Sequence, residues 1–354
     1  MTVEAVHCPQ AGHRRPWSFL RLSCLILRIS HFEQGGARLI CDDGGVKSSV
    51  WSPMSPLSHS AANAELVSLI KPLAPRPGFV DTLVPGVQAM SWDYYVASSP
   101  QIYEPSLVII AQGSKLARLG PRTLEYGAGH YLVQALSVPF MCETFATSQA
   151  PMYGVAVSID RALLGELVQA MGEAPNVKVK AQTPESMTSA ELDTPMRESV
   201  ERLLRCLHDP LDAQVMGQAR VREVVYAALR GPQAGVLRAL VEQTGHFARI
   251  AASLQHLRDH YDQALSVEDL ARCANMSAST FHEHFKRSTL LSPVQYLKRL
   301  RLLKAQQMLI GEGMGVAQVA HKVGYQSTSQ FSREYKRYFE RNPGEEGERL
   351  KISA

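Results

Sequence analysis

The chain has 354 residues, of which 45% are hydrophobic and 20% charged, and its formal net charge is +4. At roughly 150 residues per domain this length predicts two or three domains, and the composition excludes wholesale disorder, a collagen-like chain and a coiled coil. From His246 to Lys351 there are 16 Lys and Arg against 11 Asp and Glu, so a basic last third follows a nearly neutral remainder, which indicates a polyanionic partner for that third.

Residues 1–60 are predicted to be a poorly structured leader. They mix Pro, Ser, Gly and Cys without a sustained hydrophobic period. The apolar segment Trp17–Ser30 is interrupted by Arg21 and Arg28 and is too short to cross a bilayer. We therefore expect no membrane anchor, and Met54 is a candidate for the natural start of the chain.

The six cysteines are dispersed along the chain, without a C-x-x-C pair. This spacing indicates neither a zinc ribbon nor a disulfide framework. Reduced thiols are typical of the cytosol, so we expect a cytoplasmic protein.

Residues 61–175 are predicted to form a small β-rich domain. A short helix from about Asn63 leads into apolar or alternating runs rich in Val, Ile, Phe and Tyr. Short strands at this spacing predict an antiparallel barrel or sandwich, and helical spacing returns at Arg161–Met171. The clearest strand candidates are Ser106–Ala111, His130–Leu136, Phe140–Phe145 and Tyr153–Ile159.

Residues 176–245 are predicted to be a linker followed by connector helices. The stretch Pro175–Leu192 is polar, with Pro184 and several Thr and Ser, which is typical of a linker. Pro195–Gln243 has helical spacing with a break near Gly231-Pro232.

Residues 246–354 have the pattern of an all-α domain. Ser266 and Asp269 form a capping-box pattern. Ser292 and Gln295 form another, with Pro293 at the first helical position. The apolar residues at helical spacing before these caps are Phe247, Ile250, Leu254, Leu257 and Tyr261.

This domain contains an internal repeat. The segment Ser277–Phe281 recurs as Ser327–Phe331, and the sequences FKR and YKR follow at matching distances. Each unit is predicted to be a short helix, a tight turn and a second helix whose two aromatic side chains, four residues apart, anchor it. Gly324 readily adopts the positive φ that such a turn needs, and Asn275 tolerates it. The sequence therefore predicts two helix-turn-helix units, at about 266–288 and about 315–338.

The second helix of each unit leaves polar side chains off its aromatic face. In the major groove Gln can pair with adenine, Arg with guanine, and Glu can accept from cytosine. The window His282–Arg337 carries ten basic residues against three acidic ones, which supplies attraction to phosphates. The expected DNA-binding residues are Ser279, His282, Glu283, Lys286 and Arg287 in the first unit, and Thr328, Ser329, Gln330, Arg333, Lys336 and Arg337 in the second.

A single helix over about 293–310 joins the two units. It is apolar on more than one side, as expected of a buried strut. At about 1.5 Å per residue it would be ~27 Å long. A strut of that length could set the two reading helices about one DNA turn, ~34 Å, apart, so that they enter two adjacent major grooves of double-stranded DNA.

Residues 246–351 resemble the DNA-binding domain of the AraC/XylS family of bacterial transcription regulators. The carrying motifs are LSVEDLARCANMSASTFHEHFKR, LSPVQYLKRLRLLKAQQML and VAQVAHKVGYQSTSQFSREYKRYFERNP. The resemblance implies seven helices, transcription regulation with RNA polymerase as a partner, and base contacts from the second helices. Two departures are Glu340, where the family usually has Gly, and Asn342-Pro343 in place of Ser-Pro.

Residues 62–175 resemble the cupin-like N-terminal domain of a subset of this family. The resemblance runs through IYEPSLVIIAQGSK, GHYLVQALSVPF and MYGVAVSID, and REVVYAALRGPQAGVLRAL resembles the helical connector. It implies a domain that senses an unidentified small-molecule effector, forms a homodimer, or does both. The expected fold class is thus α+β and multidomain: a small β-barrel or cupin-like sensor domain, then an all-α DNA-binding domain with two helix-turn-helix units.

Other functions are less well supported by the sequence. A catalytic divalent metal usually takes about three protein ligands, but the β-rich region offers His130 alone, with Glu104, Glu125 and Glu143 dispersed. Cys142 is more typical of a buried core thiol than of a sensor. We therefore expect no enzyme, metal or cofactor. The alternatives are a cupin-type enzyme with a nucleic-acid module, which stoichiometric metal would favour, and a non-specific architectural DNA binder.

Overall fold

The computed structural model describes residues 61–172, 184–242 and 245–345. The predicted leader, residues 1–60, lies outside the described residues. The described chain is α+β: strands dominate from residue 78 to residue 158, and helices dominate after residue 194. This agrees with the expected fold class.

In the described part of the chain, ten strands form two antiparallel sheets. The six-stranded sheet has the order β1-β2-β9-β4-β7-β10, and the four-stranded sheet has the order β3-β8-β5-β6. The pairing leaves a two-sheet sandwich rather than a barrel closed by hydrogen bonds. The strands are β1 Gly78–Asp81, β2 Val87–Trp92, β3 Val96–Gln101, β4 Ser106–Gln112, β5 Ser114–Leu119, β6 Arg122–Gly127, β7 His130–Gln134, β8 Phe140–Phe145, β9 Met152–Ser158 and β10 Met187–Glu191. The four strand candidates of the sequence correspond to β4, β7, β8 and β9.

Strand β4 lies at the centre of the larger sheet, between β9 and β7. Its register with β7 pairs Ser106 with Gln134 and Ile110 with His130. Every residue from Ser106 to Ala111 is buried, so the strand is covered on both faces. One face meets the sandwich interior, and helix α1 (Ala61–Ile70) packs against the sheet near β4 and β9.

Four more α-helices are described between β9 and residue 242, of which α2 precedes β10 and the other three follow it. They are α2 Arg161–Met171, α3 Thr194–Cys206, α4 Pro210–Arg230 and α5 Ala234–Ala239. Aspartates 160, 193 and 209 cap α2, α3 and α4 with side-chain hydrogen bonds to the first turn. Helix α4 approaches the sandwich closely at Gly217, where an added Cβ would lie 2.3 Å from a methyl of Val84. The connector helices therefore share the core of the β-domain.

The linker predicted over Pro175–Leu192 is wrong in its second half. Residues 173–183 lie outside the described part of the chain, but β10 pairs in register with β7 from Met187–Gln134 to Glu191–His130. The polar composition hid this strand, because an edge strand takes its hydrogen bonds from the neighbouring backbone whatever its side chains. Met187 and Ala190 supply its buried residues.

Six helices are described in the last third. They are α6 His246–Asp259, α7 Val267–Cys273, α8 Ala278–Thr289, α9 Pro293–Gly311, α10 Val316–Lys322 and α11 Thr328–Phe339. A further helical turn spans residues 343–345, where the description ends. The expected joining helix is α9, one residue longer than predicted.

Helix α9 divides its buried residues between two hydrophobic cores. Tyr296 and Leu300 belong to the core that includes α8 and continues into the sandwich domain. Leu302 and Leu309 belong to a separate core built with α10 and α11. The first helix-turn-helix unit is thus packed onto the β-domain, whereas the second forms its own lobe at the far end of α9.

Candidate nucleic-acid interface

The turns of the two units share a positive φ and the same backbone hydrogen-bond pattern. Asn275 has a φ of 50° and Gly324 a φ of 85°, as the sequence predicted. In the first turn the Met276 amide donates to the Ala271 carbonyl (2.9 Å), and in the second the Tyr325 amide donates to the Ala320 carbonyl (3.0 Å). These bonds satisfy the last carbonyls of α7 and α10 and set the angle at which the second helices leave.

Paired aromatic rings anchor both second helices, as expected. Phe281 and Phe285 lie 5.4 Å apart between ring centroids, and Phe331 and Tyr335 lie 5.5 Å apart. All four side chains are fully buried. Fixing the aromatic face of an α-helix inward fixes the opposite face outward.

The second helices also begin and end alike. Ser277 caps α8 and Ser327 caps α11, each accepting a hydrogen bond from the backbone amide three residues on. Leu290 and Glu340 follow these helices in the left-handed conformation, with φ values of 59° and 60°. Gly is the residue best suited to this position, so the departure at Glu340 places a side chain in a strained backbone.

The predicted DNA-binding side chains lie on the outward faces of α8 and α11. Ten of the eleven are exposed, and Thr328, the first residue of α11, is half-buried. In the first unit the Arg287 guanidinium contacts the His284 ring at 2.6 Å. The exposed ten are Ser279, His282, Glu283, Lys286, Arg287, Ser329, Gln330, Arg333, Lys336 and Arg337.

Arg301 of α9 connects segments from the two lobes. Its guanidinium donates to the carbonyls of Tyr261 (2.7 Å) and Gln263 (2.8 Å), which follow α6. It also donates to the carbonyl of Gly324, in the turn of the second unit (3.1 Å). A planar guanidinium can bridge several carbonyls at once, whereas an ammonium cannot hold the same fork. Arg301 therefore fixes the second turn relative to the end of α6, a role the sequence did not reveal.

The contact between the second turn and the segment after α6 leaves no space for a side chain at Gly324. A Cβ added there would lie 2.4 Å from the Asp262 carbonyl oxygen and 2.9 Å from a guanidinium nitrogen of Arg301. Two features therefore require glycine at position 324: its positive φ and the close approach of the Asp262 backbone.

Glu334 of α11 accepts hydrogen bonds from three side chains, although the sequence indicated only its negative charge. It lies on the half-buried side of α11 and accepts from Lys298 Nζ at 2.9 Å. Tyr325 Oη donates to it at 2.8 Å and Gln330 Nε2 at 3.2 Å. Burial by itself would raise the pKa of Glu334, but the hydrogen bonds from Lys298, Tyr325 and Gln330 outweigh it and hold the pKa below its ordinary value.

The helices on either side of the first unit touch the β-domain through polar contacts that we call the domain junction: Glu104, Ser137, Arg258 of α6 and Tyr296 of α9. Tyr296 Oη donates to the Ser137 carbonyl at 2.6 Å, fully buried. Arg258 pairs with Glu104 at 3.0 Å, and the arginine side chain is only 9% exposed. Burial raises the pKa of Tyr296, so this hydroxyl keeps its proton to donate.

The candidate metal ligands of the β-domain make contacts with protein groups, and its candidate sensor thiol is buried. His130 lies beside the Ala128 carbonyl at 3.3 Å, Glu104 pairs with Arg258, and Glu143 pairs with Arg118. Across the described residues, no three His, Cys, Asp or Glu side chains group so as to hold a metal ion. Cys142 is buried and is not in a disulfide. Within the same residues, no helix combines the length and the apolar character that a membrane crossing requires.

Two family models match the chain in the order of its two parts. Residues 83–236 match the AraC-type transcriptional regulator N-terminus, and residues 270–349 match a helix-turn-helix domain. The chain is similar to the transcriptional activator RhaS of Klebsiella pneumoniae, with 33% identity over 102 residues, which are 29% of this chain and 37% of RhaS. RhaS of an Enterobacter strain is 34% identical over 98 residues, 28% of this chain and 35% of that protein. The matched segment thus spans little more than a third of these relatives.

The fold is similar to that of a solved structure of ToxT from Vibrio cholerae with an unsaturated fatty acid bound. The TM-score is 0.52 at 10% identity, over 74% of this chain and 93% of that chain. This likeness concerns the fold alone, but it extends over both the sandwich and the helical part. With the N-terminal and the helix-turn-helix models both matched in the family's order, the chain belongs to the AraC family of transcriptional regulators.

Proposed function

We propose that this protein is a sequence-specific transcription regulator that reads two adjacent major grooves of double-stranded DNA with α8 and α11. The observation that carries the proposal is the duplicated unit, with matching turns, caps and aromatic anchors and with polar and basic side chains outward in both copies. One such unit occurs often by chance. Two copies, joined by a capped helix that contributes to two hydrophobic cores, support a bipartite DNA reader much more strongly than one copy does.

Two substitutions separate base reading from phosphate attraction. Arg333→Ala should weaken binding to the specific site by about 1–3 kcal/mol and relax the preference at one base position. Lys286→Ala should weaken binding to all sequences and lower the salt dependence of log Kd by about one unit. Lys71→Ala, which removes an exposed lysine beside the sandwich, is the control. Unchanged binding by both reading-helix variants would refute the assignment of the interface.

We further propose that the β-domain binds a small-molecule effector and controls the DNA-binding part through the domain junction. The Tyr296–Ser137 and Arg258–Glu104 contacts, together with the shared core, join the sandwich to α6 and α9. The ToxT structure of similar fold holds an unsaturated fatty acid, which supports a ligand-binding role for this architecture.

The junction can be tested without knowing the effector. Tyr296→Phe keeps the buried ring but removes the hydroxyl, and Glu104→Gln weakens the ion pair. The double variant should show faster amide exchange in α9 and a larger radius of gyration by solution scattering than the wild type. Identical exchange and scattering would contradict control through this contact.

We propose that the protein forms a homodimer through helix α4. Leu211, Val215 and Tyr226 are 68%, 66% and 40% exposed and lie on one face of the helix. Asp209 and Asp212 stand at its first turn and Arg222 and Arg230 in its second half. An antiparallel pair of α4 helices would place these acidic and basic ends opposite each other while burying the apolar stripe.

The oligomeric state tests this interface directly. Val215→Glu should convert a dimer to a monomer in sedimentation equilibrium. Val294→Glu, which changes another exposed valine (55%) on α9, should leave the dimer intact. A wild-type monomer at all concentrations would refute the dimer and leave the DNA-binding proposal standing.

We also propose RNA polymerase as a partner and the cytoplasm as the place of action. The RhaS relatives are transcriptional activators, and an activator acts where polymerase meets DNA. Transcription in vitro from a bound promoter, with and without the protein, tests the first point. A change in transcript yield supports contact with polymerase, and no change would contradict it.

A further inference from the structure

Gln330, on the reading face of α11, is hydrogen-bonded to Glu334, which lies one turn further along on the half-buried side of the helix. Gln330 is an exposed residue of that face, whereas the Glu334 side chain is only 12% exposed. The carboxylate is held from behind by Lys298 on α9 and Tyr325 in the turn. These two residues fix Glu334, and Glu334 in turn contacts Gln330.

The chemistry of the carboxylate determines which way the Gln330 amide points. An ionised carboxylate accepts hydrogen bonds and donates none, so only the NH2 group of Gln330 can face it. The observed contact joins Gln330 Nε2 to Glu334 Oε1 at 3.2 Å. One N–H is thus committed to Glu334, which leaves the other N–H and the carbonyl oxygen for a DNA base.

This remaining pair of groups matches adenine better than guanine. Adenine presents a donor, N6–H, and an acceptor, N7, to the major groove, and guanine presents two acceptors. An amide with one free N–H and one free carbonyl oxygen can satisfy adenine in two places. It can meet only one of the two acceptors of guanine, and its carbonyl oxygen would then face the other.

We propose that Glu334 is a positioning residue that acts through Gln330 to select adenine in the half-site read by α11. The proposal rests on the proposed function as a specific DNA reader. It applies to one half-site only, because the position 50 residues earlier is His284, which contacts Arg287 instead.

The experiment is selection of bound fragments from random DNA by the full-length protein, followed by affinity measurements at the position that depends on Gln330. The wild type should prefer adenine over guanine there by about 5- to 150-fold, the range of one bidentate contact. Gln330→Ala should abolish the preference. Glu334→Ala should reduce it to about threefold or less while leaving the salt dependence unchanged, and Glu334→Ala in the Gln330→Ala background should add nothing.

Two further variants keep the test decisive. Tyr325→Phe removes one donor to Glu334 but keeps the buried ring, and should give an intermediate preference even if Glu334→Ala folds poorly. Glu340→Gln changes an exposed carboxylate just after α11 and should leave the preference intact. A full adenine preference in both Glu334→Ala and Tyr325→Phe, or no adenine at the Gln330-dependent position, would overturn the inference. A wild type that selects no sequence at all would instead overturn the proposed function.

Discussion

Replacing Arg301 should separate the second helix-turn-helix unit from the rest of the DNA-binding part. Its three hydrogen bonds join α9 to the carbonyls of Tyr261, Gln263 and Gly324. Hydrogen bonds to charged groups contribute about 1.5–3 kcal/mol each when buried. Because this guanidinium is partly exposed and its bond to Gln263 is at the surface, we take less than half of the summed value and expect a loss of ~2–4 kcal/mol.

The informative variants are Arg301→Met and Arg301→Lys. Methionine keeps an apolar stem of similar length, so that the lost contacts are the hydrogen bonds rather than the packing. Lysine keeps the charge, but its single ammonium cannot bridge all three carbonyls, and we expect roughly half of the loss. Amide exchange around Gly324 and urea unfolding of the full chain measure the effect.

The same variants should also change the ratio between the affinity for a complete two-part DNA site and the affinity for a half-site. Arg301→Met should lower the affinity for a complete two-part site more than the affinity for either half-site, because the two reading helices lose their fixed spacing. Stability within about 0.5 kcal/mol of the wild type, together with an unchanged ratio between complete and half-sites, would refute the structural role given to Arg301.

Three further predictions concern the helical part. Gly324→Ala should destabilise the second unit by at least ~2 kcal/mol in chemical denaturation, because an alanine there would need a left-handed φ and a Cβ position that is already occupied. Gly311→Ala, at a helical position with open space around it, should be neutral or stabilising by up to ~1 kcal/mol. Equal effects of the two substitutions would contradict the close packing at Gly324. Glu340→Gly should raise the free energy of unfolding by about 0.5–1 kcal/mol by relieving a φ of 60°, and a destabilised variant would show that the side chain matters more than the strain. Burial first, and then the neighbouring charge of His246, lower the pKa of His284, so that the folded state favours the neutral ring. The free energy of unfolding that this contributes is present above the unfolded pKa of about 6.5 and is lost as the pH falls through the lower pKa of the folded state. The melting temperature should therefore decrease less between pH 7.5 and 5 for His284→Gln than for the wild type.

Local chemistry explains why much of the DNA-binding part could be predicted from the sequence. Caps, tight turns and aromatic anchors act over three to five residues, so their spacing is visible in the chain itself. The capping boxes at Ser266 and Ser292, and the positive φ of Asn275 and Gly324, agree with the prediction. The strands of the sandwich were predicted only in part, because those rich in polar residues, such as β10 and β3, carry no clear hydrophobic alternation.

The sequence by itself determined the two repeated units, their outward polar faces and the helix between them, since each depends on interactions between near neighbours. Only the tertiary structure decided which lobe joins the sandwich and which residues hold the lobes in place. Tyr296 and Ser137 are 159 residues apart in the chain, and Arg301 meets carbonyls up to 40 residues away. Such contacts depend on how whole elements pack, and no periodicity along the chain encodes which distant carbonyl a buried hydroxyl or guanidinium will reach.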